Sequence, residues 1–294
     1  MAALRPPAPQ DAEAVLAVMV ARDIADVGAP DVELADVHVD WASPDVDLGR
    51  DAWVAEGDGG TLAAYALRRG DDAHVYVHPD AEGAGVGTAL RRACEARAAE
   101  TGVAVLRQFI PVGNEVARAL LLAAGYRPVQ LYSRLRLELA SAPEPPSAHV
   151  RGFEREHDER AVYDLIQNAF AEIEGNVPKT LEAWLGSGVL RQGWDPDLWL
   201  VLEDDEGLAG AVLGERWEGG VGYVAELAVA PRARGGGHGR SLLLHAFAAF
   251  RRAGLRAAEL SVHGANAGAL RLYESVGMQP VWQAERWEKP LGLR

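Results

Sequence analysis

The run Arg234–Gly239, with the sequence RGGGHG, contains residue types suited to binding an anion. It follows an apolar run, Val221–Ala230, that predicts a buried strand, and it precedes a segment from Ser241 that predicts a helix. Glycine tolerates positive φ and places no Cβ in the way of a ligand. The first N–H groups of a helix lack partners within the helix. A strand, a glycine turn and a helix start therefore favour a phosphate or pyrophosphate ligand.

Two further side chains beside this turn are suited to acid–base chemistry. Glu226 interrupts the apolar strand three residues before Val229. A carboxylate in such a strand is costly to bury unless it faces a wet cleft or a polar partner. The alternative is a strand residue that faces solvent. His263 ends the next predicted strand, three residues before Asn266, and is a second candidate, although isolated histidines are often without function.

The composition narrows the class of protein. With 294 residues the chain is long enough for two domains, and its 49% hydrophobic and 24% charged residues are typical of a globular protein. A net charge of −14 argues against nucleic-acid or anionic-membrane partners. It is compatible with a cationic small substrate. A single cysteine, Cys94, excludes an internal disulfide and favours a reducing compartment. Because no segment reads as a signal peptide or a membrane span, we expect a cytoplasmic protein.

An internal repeat organises the chain. An offset of 152 residues aligns identical residues of the two halves, and a period of this length indicates two whole domains. The aligned pairs are Val77 with Val229, Pro79 with Pro231, Gly83 with Gly235, Gly85 with Gly237, Gly87 with Gly239, Leu90 with Leu242, Asn114 with Asn266, Ala117 with Ala269, Leu120 with Leu272 and Gly125 with Gly277. The Pro- and Ser-rich run 140–148 predicts a linker. We therefore predict domains at 1–139 and 149–294.

Both halves have the same predicted order of elements: two helices, three strands, a helix, a strand, a helix and one or two final strands. A short extra strand is expected before each first helix. In the second half the predicted helices are Asp158–Ile173, Thr180–Leu185, Ser241–Ala253 and Ala267–Val276, and the predicted strands are Leu198–Glu203, Leu208–Trp217, Val221–Ala230, Ala257–Val262 and a tail from Pro280 to Trp287. This order is typical of an α/β fold with a mixed sheet and helices on its faces.

The motifs in the second half resemble a known family. They are Val229-Ala230-Pro231, then Arg234-x-x-Gly237-x-Gly239, then Asn266-x-x-Ala269-x-x-Leu272-Tyr273-x-x-x-Gly277. Together they resemble the acetyl-CoA-binding core of the GNAT N-acetyltransferase superfamily. A dinucleotide site is the alternative for the glycine loop alone, but the chain lacks the acidic residue and the repeated parallel βαβ units of that fold. The chain as a whole resembles tandem GNAT proteins, including the mycothiol synthases, so we expect two GNAT-like domains, each with a mostly antiparallel mixed sheet.

The resemblance implies a set of residues that bind acetyl-CoA as a cosubstrate, without a metal. Backbone amides of the loop would hold the pyrophosphate, the preceding strand would pair with the pantetheine, and Asn266 would either touch the CoA arm or cap the following helix. The implied set is Leu227, Ala228, Val229, Arg234, Gly235, Gly236, Gly237, His238, Gly239, Arg240 and Asn266. His238 fills a variable position of the loop.

The resemblance also implies catalytic roles. Tyr273 would protonate the leaving thiolate, for which a phenol with a reference pKa of ~10 is suitable. Glu226, or alternatively His263, would act as the general base toward the acceptor amine. Each of the three residues has a structural alternative, namely a core aromatic, a solvated carboxylate or an incidental histidine.

The first half departs from this pattern at informative positions. Glu82 stands where the second half has Arg234, Leu121 stands where it has Tyr273, and His74 stands where it has Glu226. The glycines remain. We therefore predict that the first repeat keeps the fold and lacks catalytic activity.

We therefore expect an acetyl-CoA-dependent N-acetyltransferase acting on a primary amine of a small molecule, as a monomer or a homodimer. Carboxylates and indoles near the expected acceptor pocket suit an amine or an amino sugar. These candidates are Phe170, Glu172, Glu174, Trp184, Trp194 and Trp217, and packing in the core is the alternative for them. A mycothiol synthase-like acceptor, a cysteine amine linked to a sugar, and a non-catalytic acyl-CoA-binding protein are the alternative functions.

Overall fold

The fold is taken from a computed structural model that describes residues 3–30, 32–171, 178–187, 194–264 and 266–292. The α-helices are α1 (Ala12–Val27), α2 (Leu34–Trp41), α3 (Leu48–Asp51), α4 (Val86–Glu100), α5 (Glu115–Ala123), α6 (Glu159–Phe170), α7 (Leu181–Ser187), α8 (His238–Arg252) and α9 (Ala267–Ser275). No described helix combines the length and the apolar character that crossing a lipid bilayer requires.

The strands are β1 (Leu4–Arg5), β2 (Ala52–Glu56), β3 (Leu62–Arg69), β4 (Asp72–Val77), β5 (Val105–Pro111), β6 (Arg127–Glu138), β7 (Val150–Gly152), β8 (Trp199–Asp204), β9 (Gly207–Trp217), β10 (Val221–Val229), β11 (Ala257–His263) and β12 (Gln279–Pro290). The predicted mixed α/β fold with helices flanking the sheets is confirmed. The short strand expected before each first helix is also present, as β1 and β7.

The 152-residue offset found in the sequence also relates helices and strands of the two halves. Helices α4 and α8, helices α5 and α9, and strands β6 and β12 begin and end at positions that differ by this offset at both ends. The two copies also share left-handed glycines at Gly83 and Gly235 and at Gly85 and Gly237. The repeat therefore preserves backbone geometry even where the side chains differ.

The chain forms two compact units, whose boundaries differ from the domain boundaries expected from the sequence. The first unit runs to Tyr132 and includes the segment from Trp282 onward, whereas the second unit is Ser133–Val281. The first unit thus contains most of β12, and the second unit contains the second half of β6, although the repeat places each of these strands in the other half. The reason is long-range pairing: seven residues of β12, Ala284–Pro290, pair antiparallel with β5. The functional division at 1–139 and 149–294 stays a prediction.

In the first unit the strand order is β1-β2-β3-β4-β5-β12. Neighbouring strands are antiparallel apart from β4 and β5, which are parallel and share a single pair, Asp72 with Arg107. Trp287 of β12 is buried in a cluster with Ile110, Leu121 and Tyr126. The C-terminal strand therefore supplies core packing as well as backbone pairing to this unit.

In the second unit the strand order is β6-β11-β10-β9-β8-β7. Helix α8 contributes a long buried face, including Leu243, Phe247 and Phe250, which packs against β8, β9 and β10. Helix α6 places a buried stripe, Val162, Leu165 and Ile166, against β9 and β10. This arrangement fixes β10, the strand that carries Glu226, within the core.

The linker region is attached to the second unit. Leu139 and Ala142 are buried in its core cluster, and Leu139 N–H donates to the carbonyl of Arg256 at 2.8 Å. Farther along, Arg251 of α8 donates to the Glu144 carboxylate at 2.9 Å. The segment after β6 therefore follows the surface of this unit.

A close approach between α8 and β10 generates a stability prediction. The backbone at Gly222 and Gly214 lies so close to the Phe250 ring that a Cβ at either position would collide with ring carbons. Because overpacking of a filled core costs about 1–3 kcal/mol, Gly222→Ala should lower the free energy of unfolding by that amount in a denaturant titration.

Gly268→Ala is the matched control for that measurement. The nearest atom to a Cβ at this exposed position of α9 is Asn266 Oδ1 at 3.7 Å. Alanine is favoured over glycine in a helix by roughly 0.5–1 kcal/mol, so this variant should be slightly more stable. Equal effects of the two substitutions would show that close packing at Gly222 is not important.

Candidate functional site

The glycine loop leads into the N-terminus of α8 in the second unit, where backbone N–H groups have no partner within the helix. Gly235 and Gly237 have φ of 84° and 80°, and Gly237 is the N-cap of α8. The helix begins at His238, three residues earlier than expected, because Gly237 supplies the left-handed turn that starts it. The first intrahelical bond runs from Ser241 N–H to the Gly237 carbonyl at 3.0 Å. The N–H groups of residues 238–240 are thus the donors that the helix itself leaves open.

The other residues of the loop have distinct positions. Arg234 is exposed and its Nε donates to the Val229 carbonyl at 3.4 Å, so its side chain folds back along the end of β10. A Cβ at Gly239 would lie 3.2 Å from Leu272, so glycine here allows α8 and α9 to approach. Gly236 and Arg240 are exposed, as a ligand site requires.

Strands β10 and β11 diverge next to this loop. They pair in parallel from Val221 with Ala257 to Tyr223 with Glu259, and within these two fully described strands the ladder ends there. Beyond Tyr223, residues 227–229 remain paired with β9 on one edge only. The other edge of 227–229 therefore borders an opening between the strands. This is where the sequence placed the backbone partners of pantetheine.

Glu226 stands at the beginning of this opening. The register of β10 against β9 shifts between Val224 and Glu226, which marks a β-bulge. Trp184 of α7 donates its indole N–H to Glu226 Oε2 at 3.3 Å. Burial raises the pKa of Glu226, and the nearby Glu215 carboxylate adds to the rise. The hydrogen bond from Trp184 and the charge of Lys179 act against it.

Tyr273 lies on α9 and is 9% exposed. Burial, with a smaller contribution from Tyr223, raises its pKa to about 12. The phenol is therefore protonated throughout the neutral range, the state that a proton or hydrogen-bond donor needs. Its counterpart Leu121 is buried among apolar side chains of the first unit.

Two more predicted site residues are His263, at the end of β11, and Asn266, at the start of α9. Asn266 is the N-cap of α9, and its Oδ1 accepts the Ala269 N–H at 3.0 Å. The capping alternative is thus present in the structure, and the side-chain oxygen is engaged in it. His263 is exposed at the end of β11, and its carbonyl accepts the Asn266 N–H at 2.9 Å. Of the two candidate bases, Glu226 is partly buried, whereas His263 is exposed.

The expected acceptor residues separate into two groups. Trp184 is buried in the core, and Trp194 and Phe170 pack against the core, as the structural alternative proposed. Trp217 stacks on Tyr223 with ring centroids 3.8 Å apart, and its indole N–H donates to Glu215 at 3.3 Å. Glu172 and Glu174 lie outside the described residues. In the described part of the chain no group of three His, Cys, Asp or Glu side chains could hold a metal ion.

Sequence reasoning missed the contact between Trp184 and Glu226. It also missed the bulge that orients Glu226. The distance in sequence between α7 and β10 gives no local signal for the contact, although the carboxylate within an apolar strand did indicate that a partner was needed.

The first unit has a cavity at the position that corresponds to the opening in the second. Its volume is about 230 Å³, and it is lined by β4, β5, α4 and α5 together with Arg22 of α1. His74, the counterpart of Glu226, lies on β4, where burial lowers its pKa and favours the neutral ring. This unit therefore has a cavity, but it has His74 instead of a carboxylate at the position of Glu226.

A network of side chains crosses the edge of that cavity. The guanidinium of Arg22 contacts Glu82 of the glycine loop and Asp26 of α1, each at 2.5 Å. Asp26 in turn accepts the Asn114 side-chain N–H at 3.0 Å. Asn114 is the N-cap of α5 and corresponds to Asn266. The network therefore connects the glycine loop to the start of α5, and the resemblance assigns the corresponding positions of the second unit to the CoA arm.

Comparison with known proteins agrees with this geometry. The model of the acetyltransferase (GNAT) family matches residues 160–278, and a model of the acetyltransferase (GNAT) domain matches residues 49–135. A mycothiol acetyltransferase of Thermobispora bispora is 31% identical over 92% of both chains. A mycothiol acetyltransferase of Geodermatophilus obscurus is 30% identical over 92% of this chain and 91% of its own.

Solved structures extend the likeness to the fold of the whole chain. A GCN5-related N-acetyltransferase from Sphaerobacter thermophilus superimposes with a TM-score of 0.80 at 31% identity, covering 98% of this chain and 95% of its own. A tandem GNAT protein from the clavulanic acid biosynthesis pathway superimposes with a TM-score of 0.68 at 17% identity over 99% of both chains, and shows the fold alone. With two matching domain models and relatives of 30–31% identity over more than nine-tenths of their length, the chain belongs to the GNAT acetyltransferase family.

Proposed function

We propose that the second repeat of this acetyltransferase moves the acetyl group of acetyl-CoA to a primary amine, with Glu226 as the general base. The observation that carries the proposal is the position of Glu226 beside the opening between β10 and β11, held by Trp184. The cosubstrate supplies an activated acetyl thioester. The amine and the thioester would react in a ternary complex, in which proximity supplies much of the rate.

The residues present fit acetyl-CoA. The open N–H groups at 238–240 and the exposed Arg234 are suited to the pyrophosphate. The edge of residues 227–229 that faces away from β9 has no strand beside it among the described residues and is suited to the amides of pantetheine, although the Val229 carbonyl also accepts from Arg234. A backbone N–H near Val229 would polarise the thioester carbonyl. The role of Asn266 toward CoA is confined to its side-chain nitrogen, because its oxygen caps α9.

Glu226 would take the proton that the attacking amine loses, directly or through a water molecule. An amine with a pKa of ~10 is mostly protonated at neutral pH, so a base is needed to make it nucleophilic. A carboxylate whose pKa is raised is the stronger base, because Brønsted behaviour favours a catalytic pKa near the working pH. His263, exposed at the end of β11, is the second candidate for this role.

Tyr273 would stabilise the sulfur that leaves. The pKa of about 12 keeps its hydroxyl protonated. Full transfer of this proton to a thiolate with a pKa of ~8.5 is unfavourable by roughly 3–4 pKa units. We therefore assign Tyr273 the donation of a hydrogen bond to the developing thiolate, which leaves as the anion and takes its proton from water.

For the acceptor, we propose a cysteine amine linked to a sugar. The full-length relatives named mycothiol acetyltransferases support this class, as do the Glu215 and Glu226 carboxylates beside the stacked Trp217 and Tyr223 rings, which suit an amine. Turnover of acetyl-CoA should be measured against cysteinyl-glucosamine conjugates, free glucosamine and simple alkyl amines. Preference for a simple amine would overturn this acceptor and leave the acetyltransfer intact.

We further propose that residues 1–139 act as a non-catalytic repeat and residues 149–294 as the catalytic one. Leu121 and His74 in place of Tyr273 and Glu226 support this assignment. A cytoplasmic location is part of the proposal, because the lone Cys94 has no partner for an internal disulfide.

Glu226→Gln should remove the base while keeping the size of the side chain. Loss of general-base catalysis costs about 10²–10⁴-fold in kcat/KM. In the wild type Glu226 must lose its proton to act as a base, so kcat/KM should rise with pH on the acidic side of the profile. The midpoint of this rise, the acidic limb, should lie above the ordinary pKa of glutamate because burial raises the pKa of Glu226. The acidic limb should be absent from the pH profile of the variant. His263→Gln with an unchanged profile is the control, and the reverse result would assign the base to His263.

Tyr273→Phe should lower kcat with little change in the affinity for acetyl-CoA. The phenol contributes where charge develops on sulfur, and the ring itself is retained for packing. Steady-state kinetics combined with calorimetric titration of acetyl-CoA separates the two effects. An unchanged kcat, in an assay where the chemical step limits the rate, removes Tyr273 from the mechanism.

The residues at the corresponding loop positions, Glu82 in the first repeat and Arg234 in the second, should determine how many acetyl-CoA molecules bind to each chain. Calorimetry should find one site per chain in the wild type, because the network of Arg22, Glu82, Asp26 and Asn114 crosses the first cavity. Arg234→Glu should weaken that site by at least about tenfold, the effect of losing a charged contact to phosphate.

The reciprocal variant, Glu82→Arg, serves as the matched experiment. It places a second cation beside Arg22, breaks the network and gives the first loop the residue found in the second. A second, weaker site should appear. Two sites in the wild type would show that the network does not exclude acetyl-CoA, and no site would contradict the assignment of the second loop.

A further inference from the structure

The indole of Trp184 is the one described polar group with a direct hydrogen bond to the Glu226 side chain. Its Nε1 donates to Oε2 at 3.3 Å, and the residue is only 2% exposed. Such a contact fixes one oxygen of the carboxylate. It directs the other oxygen, Oε1, away from the indole.

The indole is held in place by packing and by the start of α7. Its ring lies 5.9 Å from that of Tyr163 and 5.7 Å from that of Trp199, measured between ring centroids. The Tyr163 hydroxyl donates to the Lys179 carbonyl at 2.7 Å. The backbone N–H of Trp184 donates to the Thr180 carbonyl at 2.9 Å. Helix α6 is thereby joined to the start of α7, and the indole is packed between the partly buried Tyr163 and the buried Trp199.

We propose that Trp184 is a positioning residue, which orients the Glu226 carboxylate and keeps it ionised for proton removal from the acceptor amine. The proposal rests on the proposed function of Glu226. An N–H donated to a carboxylate stabilises the charged form. Oε1 then remains to receive the proton directly or through water, while Trp184 itself gains and loses no proton.

Two charged groups also act on Glu226, and their effects oppose one another. Lys179, which precedes α7, favours the ionised carboxylate, and Glu215 of β9 disfavours it. Burial disfavours it most. Trp184 is therefore the neutral donor that opposes desolvation, which makes its contribution separable from that of the charges by a substitution that changes no charge.

Trp184→Phe removes the N–H and keeps an aromatic ring in the cluster. The acidic limb of the kcat/KM profile should move upward by about one pH unit, the effect expected for one hydrogen bond to a charged group. Below the limb kcat/KM should fall about tenfold, while the plateau at high pH should change little. An unshifted limb in a folded variant overturns the proposal.

Trp199→Phe is the matched control. Trp199 belongs to the same aromatic cluster and is similarly buried, but its Nε1 has no hydrogen-bond partner among the residues that the structure describes. This variant should leave the acidic limb in place. A shift equal to that of Trp184→Phe would show that the effect comes from loss of ring packing, and would overturn the role of the N–H.

A measurement without substrate separates this proposal from the assignment of the base. The protein has eight tryptophans, whose indole ¹H–¹⁵N resonances can be followed by NMR as a function of pH. One resonance should titrate with the midpoint of the kinetic limb, and should stop titrating in Glu226→Gln, which identifies it even if Trp184→Phe does not fold. If Glu226→Gln is inactive and no indole resonance titrates, the positioning role is overturned alone. Full activity of Glu226→Gln would overturn the base assignment, and with it the catalytic role of Trp184.

Discussion

The divergence of β10 from β11 is the constraint on which the candidate site depends. The parallel ladder ends after Tyr223 and Glu259, and a β-bulge follows at Val224 and Glu226. A bulge adds a residue to one strand and increases its local twist. The same irregularity thus opens the edge of residues 227–229 and orients Glu226. That open edge offers backbone N–H and C=O groups that can pair with a ligand rich in amides, as the proposed function requires.

The fold was predictable from the sequence wherever the signal was local. The helix at Ala267–Ser275 and the strand at Val221–Val229 follow from apolar periodicity bounded by glycine and asparagine. The start of α8 at His238 was missed, because the glycines were assigned to the loop although Gly237 caps the helix. The sequence also did not predict that β12, the last strand of the second repeat, pairs with β5 of the first, while β6 lies beside β11. Strands β6 and β12 are copies of one another, so their own residues do not indicate which of β5 and β11 each one joins.

The candidate site was predictable as a list of residues but not as an arrangement. The family resemblance supplied Glu226, Tyr273 and the glycine loop, and the structure places them on β10, α9 and the start of α8. It did not supply Trp184, because the contact of an indole with a carboxylate 42 residues away depends on the tertiary packing of α7. Asn266 was ambiguous for a different reason: asparagine at a helix start is favoured by capping alone.

The two repeats show how one backbone can support different chemistry. Their glycines adopt the same positive φ, so the loop geometry alone does not distinguish a binding site from a remnant. What differs is the charge: at the position where the second loop exposes Arg234, the first carries Glu82, which pairs with Arg22 of α1. An anion approaching the first loop must compete with a carboxylate that is already paired there, whereas at the second it meets a cation. The proposed division into a cosubstrate-binding repeat and a silent repeat therefore rests on one loop residue and on the helix residue that pairs with it in the first unit.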